Sequence, residues 1–308
     1  MYKLITLFFL QIVLISLCNG QKCFRIRNSN NLEIPFATFV NSDDSYGKYA
    51  DEKGNICLNI NLLSDTIFIS SVGYKRLMIL RKEYLEKEIL LLEPFSQNLR
   101  EIIVKPNKIK RTSFSNYSKS AISIYKHLWN PNSNLLVTGY IENTSEQAQL
   151  IEKVKFFLSP KKSNIVDKFK VRLRFFDNKD NKPNQEITQT NIITELKPND
   201  KNLDLTLINQ NLYITENGIW IGMEIVGYYN FENVFIPLEN GRTGKVSFKN
   251  NGKIKSIELI SPSYDLVKLK DGSNCYTKDF LDKWRKGIRT SDPEYYYSPK
   301  IEIIAIQN

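Results

Sequence analysis

The sequence predicts an all-β protein of two consecutive sandwiches, a smaller N-terminal one and a larger, antiparallel, jelly-roll-like one. Three observations carry this. Apolar and β-branched residues alternate in short runs rather than recurring at helical spacing. Each run closes on a turn cluster such as Asp51-Glu-Lys-Gly54. The pattern breaks once, after Pro106, into a basic Ser- and Asn-rich stretch, and strand-like runs resume at Leu135.

Residues 1–20 read as a signal peptide. Lys3 is a short basic start, Leu4 to Leu17 an apolar core, and Cys18-Asn19-Gly20 puts small residues where a signal peptidase reads, with cleavage before Gln21. The apolar run is shorter than the about 20 residues that cross a bilayer, and no later segment is long and apolar enough to span one. Leu17 stands where a lipid-modified Cys18 needs a small residue, so an ordinary leader is the better reading.

Residues 21–106 make the first sandwich. Its strands are read at Cys23-Phe-Arg-Ile-Arg27, Ile34 to Val40, the hairpin Tyr46 to Ile60 around Asp51–Gly54, Asp65 to Lys75, and Leu77 to Leu80. Residues 107–134 follow as a basic linker and entry element, with a short helix expected over Tyr117 to Trp129. The second sandwich, 135–308, takes strands from Leu135–Ile141, Ile151–Leu158, Phe169–Phe176, Leu203–Ile208, Ile219–Val226, Lys245–Phe248 and Ile257–Ile260. In Phe169–Phe176 the residues Phe169, Val171, Leu173 and Phe175 share a core face, while Lys170, Arg172 and Arg174 share a face expected to be wet. Ile301–Ile306 alternates little and is expected to return as a last core strand.

Three quoted elements, Ile34-Pro-Phe-Ala-Thr-Phe39, the Asp51-Glu-Lys-Gly-Asn55 hairpin and Asp65-Thr-Ile-Phe-Ile-Ser-Ser-Val-Gly-Tyr-Lys75, resemble the carboxypeptidase regulatory-like domain. That domain is a transthyretin-like sandwich of cell-envelope proteins, and it precedes many TonB-dependent receptors. Ile89–Leu92 and Leu99-Arg-Glu-Ile-Ile-Val-Lys-Pro106 look like its closing strands. The chain departs from the family at its opening, where Cys23–Arg27 replaces a small-residue, Gly-containing strand. The resemblance implies a fold and an envelope setting, but not an activity. The remainder is loosely similar to an uncharacterised envelope sandwich.

Formal net charge is +10, with Lys spread along the chain and clustered chiefly at Lys105–Arg111 and Lys161-Lys162. An exported chain with no reading motif gives no case for nucleic acid, and the clusters read as solvated linker and loop. Of four cysteines, Cys18 falls in the leader. Cys23 and Cys57 are disulfide candidates if their strands face or neighbour one another, though spacing alone does not fix connectivity. Cys275 is left over and reads as a buried free thiol.

The chain has one histidine, His127, so a serine triad and a zinc centre of several His or Cys ligands are both hard to build, and no catalytic residue, metal site or cofactor is assigned. Paired carboxylates are the remaining enzymatic route. Glu224 is the best such residue, as a charge within the apolar run Gly218–Val226, and its bland alternative is an acid at a strand edge or one paired with a nearby Lys or Arg. Asp177–Pro183 and Asn41–Ser45 carry oxygen ligands at close spacing, but both lack the Gly and distal Glu of a calcium loop and read as turns. Trp220, Tyr228, Tyr229 and Trp284 are the candidate ligand-binding residues, as flat surfaces for sugar rings. The reading is an exported, non-enzymatic binding or scaffold protein of the periplasm, outer membrane or cell surface, whose target is a glycan or an outer-membrane protein. The alternatives are a carboxylate-dependent polysaccharide hydrolase and a module that pairs an edge strand with an outer-membrane receptor.

Overall fold

The computed structural model of the protein describes residues 20–95, 110–117, 125–126, 136–145, 147–160, 163, 165–239, 245–250, 253–258, 263–270, 275–279, 281, 283–289 and 295–307. The leader residues 1–19, the run Leu99–Pro106 and His127 lie outside them. The fold is all-β, and the chain divides into two compact units, Met1–Pro94 and Phe95–Asn308.

The first unit holds β1 (Gln21–Asn28), β2 (Thr38–Asn41), β3 (Gly47–Tyr49), β4 (Asn55–Asn59), β5 (Thr66–Ser70), β6 (Leu77–Leu80), the one-turn helix α1 (Arg81–Tyr84) and β7 (Ile89–Leu92). They form two sheets, in the orders β4-β1-β7 and β3-β2-β5-β6. β1 runs antiparallel to β4 and parallel to β7. Period-two burial fills the space between the sheets: Phe24 and Ile26, Ile56 and Leu58, Ile67 and Ile69, and Leu90 and Leu92 belong to one apolar core with Phe39 and Tyr84.

The Asp51–Gly54 cluster is a turn. Asp51 Oδ1 accepts from the backbone N–H of Lys53 and of Asn55, both at 2.8 Å. Gly54 sits at φ 72°, where a Cβ would come within 2.8 Å of the Ile26 carbonyl. Ile34–Val40, by contrast, is not one strand. Pro35 and Phe36 form a turn with Phe36 at φ 57°, because proline sets the first central position of a turn whose second takes positive φ, and the strand starts only at Thr38.

In the second unit the strands are β8 (Lys110–Ser115), β9 (Tyr125–Lys126), β10 (Leu136–Ile141), β11 (Gln149–Ser159), β12 (Val166–Lys179), β13 (Lys182–Glu186), β14 (Ile192–Leu196), β15 (Asn202–Thr206) and β16 (Tyr213–Ile214). Then come β17 (Ile219–Asn230), β18 (Phe235–Pro237), β19 (Lys245–Asn250), β20 (Lys253–Glu258), β21 (Ser263–Lys270), β22 (Cys275–Lys278), β23 (Trp284–Lys286), β24 (Ile288–Arg289), β25 (Tyr295–Pro299) and β26 (Ile301–Gln307). One sheet runs β13-β12-β17-β10-β22-β23, with β14 also on β12 and β18 on β17. The other runs β24-β25-β21-β11-β26-β8, with β15 and β16 on β11 and β9 on β21. The sheets face one another at Gly139 of β10, where a Cβ would lie 2.9 Å from Ile301 Cδ1 of β26, so a larger residue there would have to displace that side chain. β26 lies between β11 and β8 as a core strand.

The stretch 107–134 is not simply a linker. β8 pairs with β26 along its whole length, from Lys110 against Gln307 to Ser115 against Glu302. Arg111 of the basic cluster is bonded through both Nε and Nη2 to Glu152, at 2.7 and 3.0 Å. Within the segment expected to be helical, Tyr125–Lys126 pairs as a strand with β21, and the remainder past Tyr117 lies outside the described residues. Asn116 then anchors this element. Its Nδ2 donates to the Pro299 carbonyl at 2.6 Å and Ser298 Oγ at 3.0 Å, and its Oδ1 accepts from the Ile301 N–H at 2.9 Å. Asn116→Ala leaves a buried carbonyl and a buried N–H without this partner, and a loss of about 2–3 kcal/mol in denaturant unfolding is expected.

Candidate functional site

The outward face of the β12 sheet carries the residues on which a function can be argued. Phe169, Val171, Leu173 and Phe175 turn inward and are fully buried. The alternate residues Lys168, Lys170, Arg172, Arg174 and Phe176 form a row on the other face, which is not wet as expected. Arg172 and Glu224 have side chains only 2% and 6% exposed, and their strands place them directly opposite each other. Arg172 Nε donates to Glu224 Oε1 at 2.5 Å, and Arg174 Nη1 lies 3.8 Å from the same oxygen. Arg174 also holds Glu186 of β13 through two bonds, Nε to Oε1 at 2.9 Å and Nη2 to Oε2 at 2.6 Å. Toward the start of β12, Lys168 and Lys170 grip Glu195 of β14 at 2.8 and 3.2 Å. The Lys168 bond, with burial acting against it, holds the Glu195 carboxyl below the usual carboxylate range.

Aromatic residues cover the other end of the row. Trp220 stands opposite Phe176 and is fully buried. Tyr140 and Tyr276 lie against its ring, at centroid distances of 5.1 and 5.3 Å, and its Nε1 donates to Asn178 Oδ1 at 3.0 Å. Trp284 is half-buried, edge-on to Phe176 at 5.0 Å, with the Lys278 ammonium 5.3 Å from its ring centroid. Gly222 makes room for this cover: a Cβ there would meet Leu136 Cδ1 at 2.6 Å.

These placements bear on the four residues expected to stack on sugar rings. Trp220 offers no open face. Tyr228 is buried, and burial pushes its hydroxyl above the ordinary tyrosine range. Tyr229 is buried with the Lys168 ammonium 4.7 Å from its ring centroid and with Phe235 against it. Of the four, Trp284 alone keeps partial exposure. Aromatic residues in β-runs are drawn into apolar cover before they serve a ligand.

Glu224 resolves similarly. A glycosidase needs two carboxylates facing an open gap that admits sugar oxygen or water. Here Glu224 and Glu186 are joined through the guanidinium of Arg174, which occupies the place between them. Asp180 and Asn181 of the Asp177–Pro183 stretch form the tight β12–β13 turn, both at positive φ, as such hairpins require. Asn41 bonds Ser45, Ser64 and the Leu62 carbonyl, so its cluster is also occupied with turn chemistry. Among the described residues no three His, Cys, Asp or Glu side chains gather as a metal site.

In the first unit Cys23 and Cys57 are register partners on β1 and β4, and they form a disulfide with sulfurs 2.06 Å apart. Cys275 is buried, outside any disulfide among the described residues, and packed on Gly287. Sequence reasoning passed over a different feature of this unit. Met78 and Leu80 of β6 are 62% and 41% exposed, and Ile89 and Leu91 of β7 are 41% and 56% exposed. β6 and β7 are each the last strand of their sheet among the described residues. The signal was available in Leu77–Leu80 and Ile89–Leu92, four-residue runs with no polar residue on the outward face. A scan against protein-family models and a search of curated proteins gave no match to the chain.

Proposed function

We propose that the protein is an exported, non-enzymatic binding or scaffold protein of the cell envelope, with a carboxypeptidase regulatory-like N-terminal sandwich and a protein rather than a glycan as its target. The observation that carries the choice of target is the apolar edge of β6, where Met78 and Leu80 stand exposed on a strand with no described neighbour beyond it. Natural sheets blunt such edges unless something pairs with them, and a partner strand supplies backbone bonds along the edge. The burial of Trp220, Tyr228 and Tyr229 weighs against sugar stacking, and the Arg174 bridge weighs against a carboxylate hydrolase. Export is supported by the leader-like residues 1–20 and by the Cys23–Cys57 bridge, which persists in an oxidising compartment.

The test is affinity capture from solubilised outer membrane, run beside a glycan array. The expected result is recovery of a membrane barrel or receptor that Met78→Lys/Leu80→Lys abolishes without changing the circular dichroism, with the array blank. Glycan binding, or capture indifferent to the two lysines, overturns the choice of target.

A further inference from the structure

The Cys23–Cys57 bridge lies on the outer face of its sheet. Phe24 and Ile26 of β1 and Ile56 and Leu58 of β4 turn inward to the core, while Cys23 and Cys57 stand between them on the outward face, both exposed. A bridge in that place fills no core space. The strands it joins are already held in register by their own ladder, from Gln21 against Asn59 to Arg25 against Asn55. β4 is the last strand of this sheet among the described residues, so the side of Cys57 remote from Cys23 faces the open edge. Positive charge stands there: Lys48 of β3 donates from Nζ to the Cys57 carbonyl at 3.0 Å. The outward positions of β1, β4 and β7 carry Arg25 and Arg27 and no acid, with Arg27 already 3.9 Å from Glu33.

We propose that this bridge is a thiol-exchange site of the folded protein, opened reversibly by an anionic thiol of the glutathione type. Exposed disulfides are the ones a thiolate can reach, and positive neighbours favour both an anionic reagent and a departing thiolate. The reagent thiolate approaches from the open edge past Lys48, and its sulfur bonds Cys57 Sγ. The Cys23–Cys57 bond breaks, and its electron pair leaves on Cys23 Sγ, with Arg25 two residues along the same face. A second thiolate attacks the reagent sulfur of the mixed disulfide, which releases Cys57 Sγ as a thiolate and the reagent as its own disulfide. Two reagent thiols are oxidised, the bridge takes up two electrons, and the two protons the thiols gave up end on Cys23 and Cys57. The ladder keeps the two sulfurs opposite each other, so the oxidised reagent closes the bridge by the reverse steps. The open form keeps its core but loses the covalent tie between β1 and β4, which links the thiol level to how tightly these strands are held. Neither β6 nor a partner protein takes part, so the site stands or falls separately from the docking reading.

The test exposes the full chain to reduced glutathione, quenches with acid and alkylates, and maps the Cys23 and Cys57 peptides by mass spectrometry. Opening is expected to be proportional to glutathione concentration, unchanged by urea below the unfolding transition, and reversed by oxidised glutathione at unaltered circular dichroism. Lys48→Glu is expected to slow opening by glutathione several-fold and opening by the neutral thiol 2-mercaptoethanol by much less, since only the anionic reagent feels the reversed charge. A rate that climbs with urea in step with the unfolded fraction overturns the proposal, because the bridge is then reached only through unfolding. So does a Lys48→Glu chain in which both thiols, or neither, are slowed alike.

Discussion

Arg172→Met is expected to cost the second unit about 3–5 kcal/mol, and Glu224→Gln a similar amount, because each strands a buried partner. The physical argument is the asymmetry of buried ion pairs. Arg172 and Glu224 lie on facing strands with side chains 2% and 6% exposed, so neither can recover hydration when the other is removed. The pair itself need not be a large net stabiliser, since desolvation offsets much of the attraction between its members. Arg172→Met/Glu224→Leu is therefore expected to regain most of the loss, with Arg174 still satisfied by its two bonds to Glu186. All three tryptophans, Trp129, Trp220 and Trp284, belong to the second unit, so tryptophan fluorescence in a urea titration isolates its transition. A double variant no more stable than the singles would show that the pair is worth more than its apolar replacement. Single variants within 1 kcal/mol of the parent would show that water reaches the site.

The same face marks what could and could not be read from the chain. The inward stripe Phe169, Val171, Leu173 and Phe175 was legible because period two needs only local sequence. That the outward stripe is also covered was not, since its partners come from far along the chain: Glu186 on β13, Glu195 on β14, Glu224 on β17 and Trp284 on β23. Register decides whether a row of Lys and Arg meets solvent or a row of Glu, and no local pattern encodes it. β8 was missed for a related reason. Lys110–Ser115 has one deeply buried residue, Phe114, and its identity as a strand derives from β26 at the opposite end of the chain. The Asp51–Gly54 and Asp180–Asn181 turns were legible because their chemistry is contained in a few consecutive residues. Glu224 stands out in the sequence as a charge in an apolar run, which fits a strand-edge acid as well as an ion pair. The two guanidiniums were what the sequence withheld.

Loss of the Cys23–Cys57 bridge is the second large expected effect, confined to the first unit. Its cysteines are 34 residues apart, and closing a loop of that length removes chain entropy from the unfolded state worth about 3–4 kcal/mol. The enclosed chain contains β2 and β3 and the core residues Phe39 and Tyr46, so the constraint acts on residues that must find β1 and β4 during folding. Cys23→Ala/Cys57→Ala removes little native packing, because both side chains lie on the outward face of β1 and β4 between buried neighbours. The destabilisation therefore arises chiefly in the unfolded ensemble. Native-state hydrogen exchange makes this measurable by region: amides of β1 and β4 are expected to exchange hundreds-fold faster in the double variant, with those of β12 and β17 unchanged. The position of the bridge also bears on β7, since β1 is the strand that holds β7 in register. A double variant whose β1 and β4 amides keep their protection would mean that the core alone fixes these strands and that the bridge adds little.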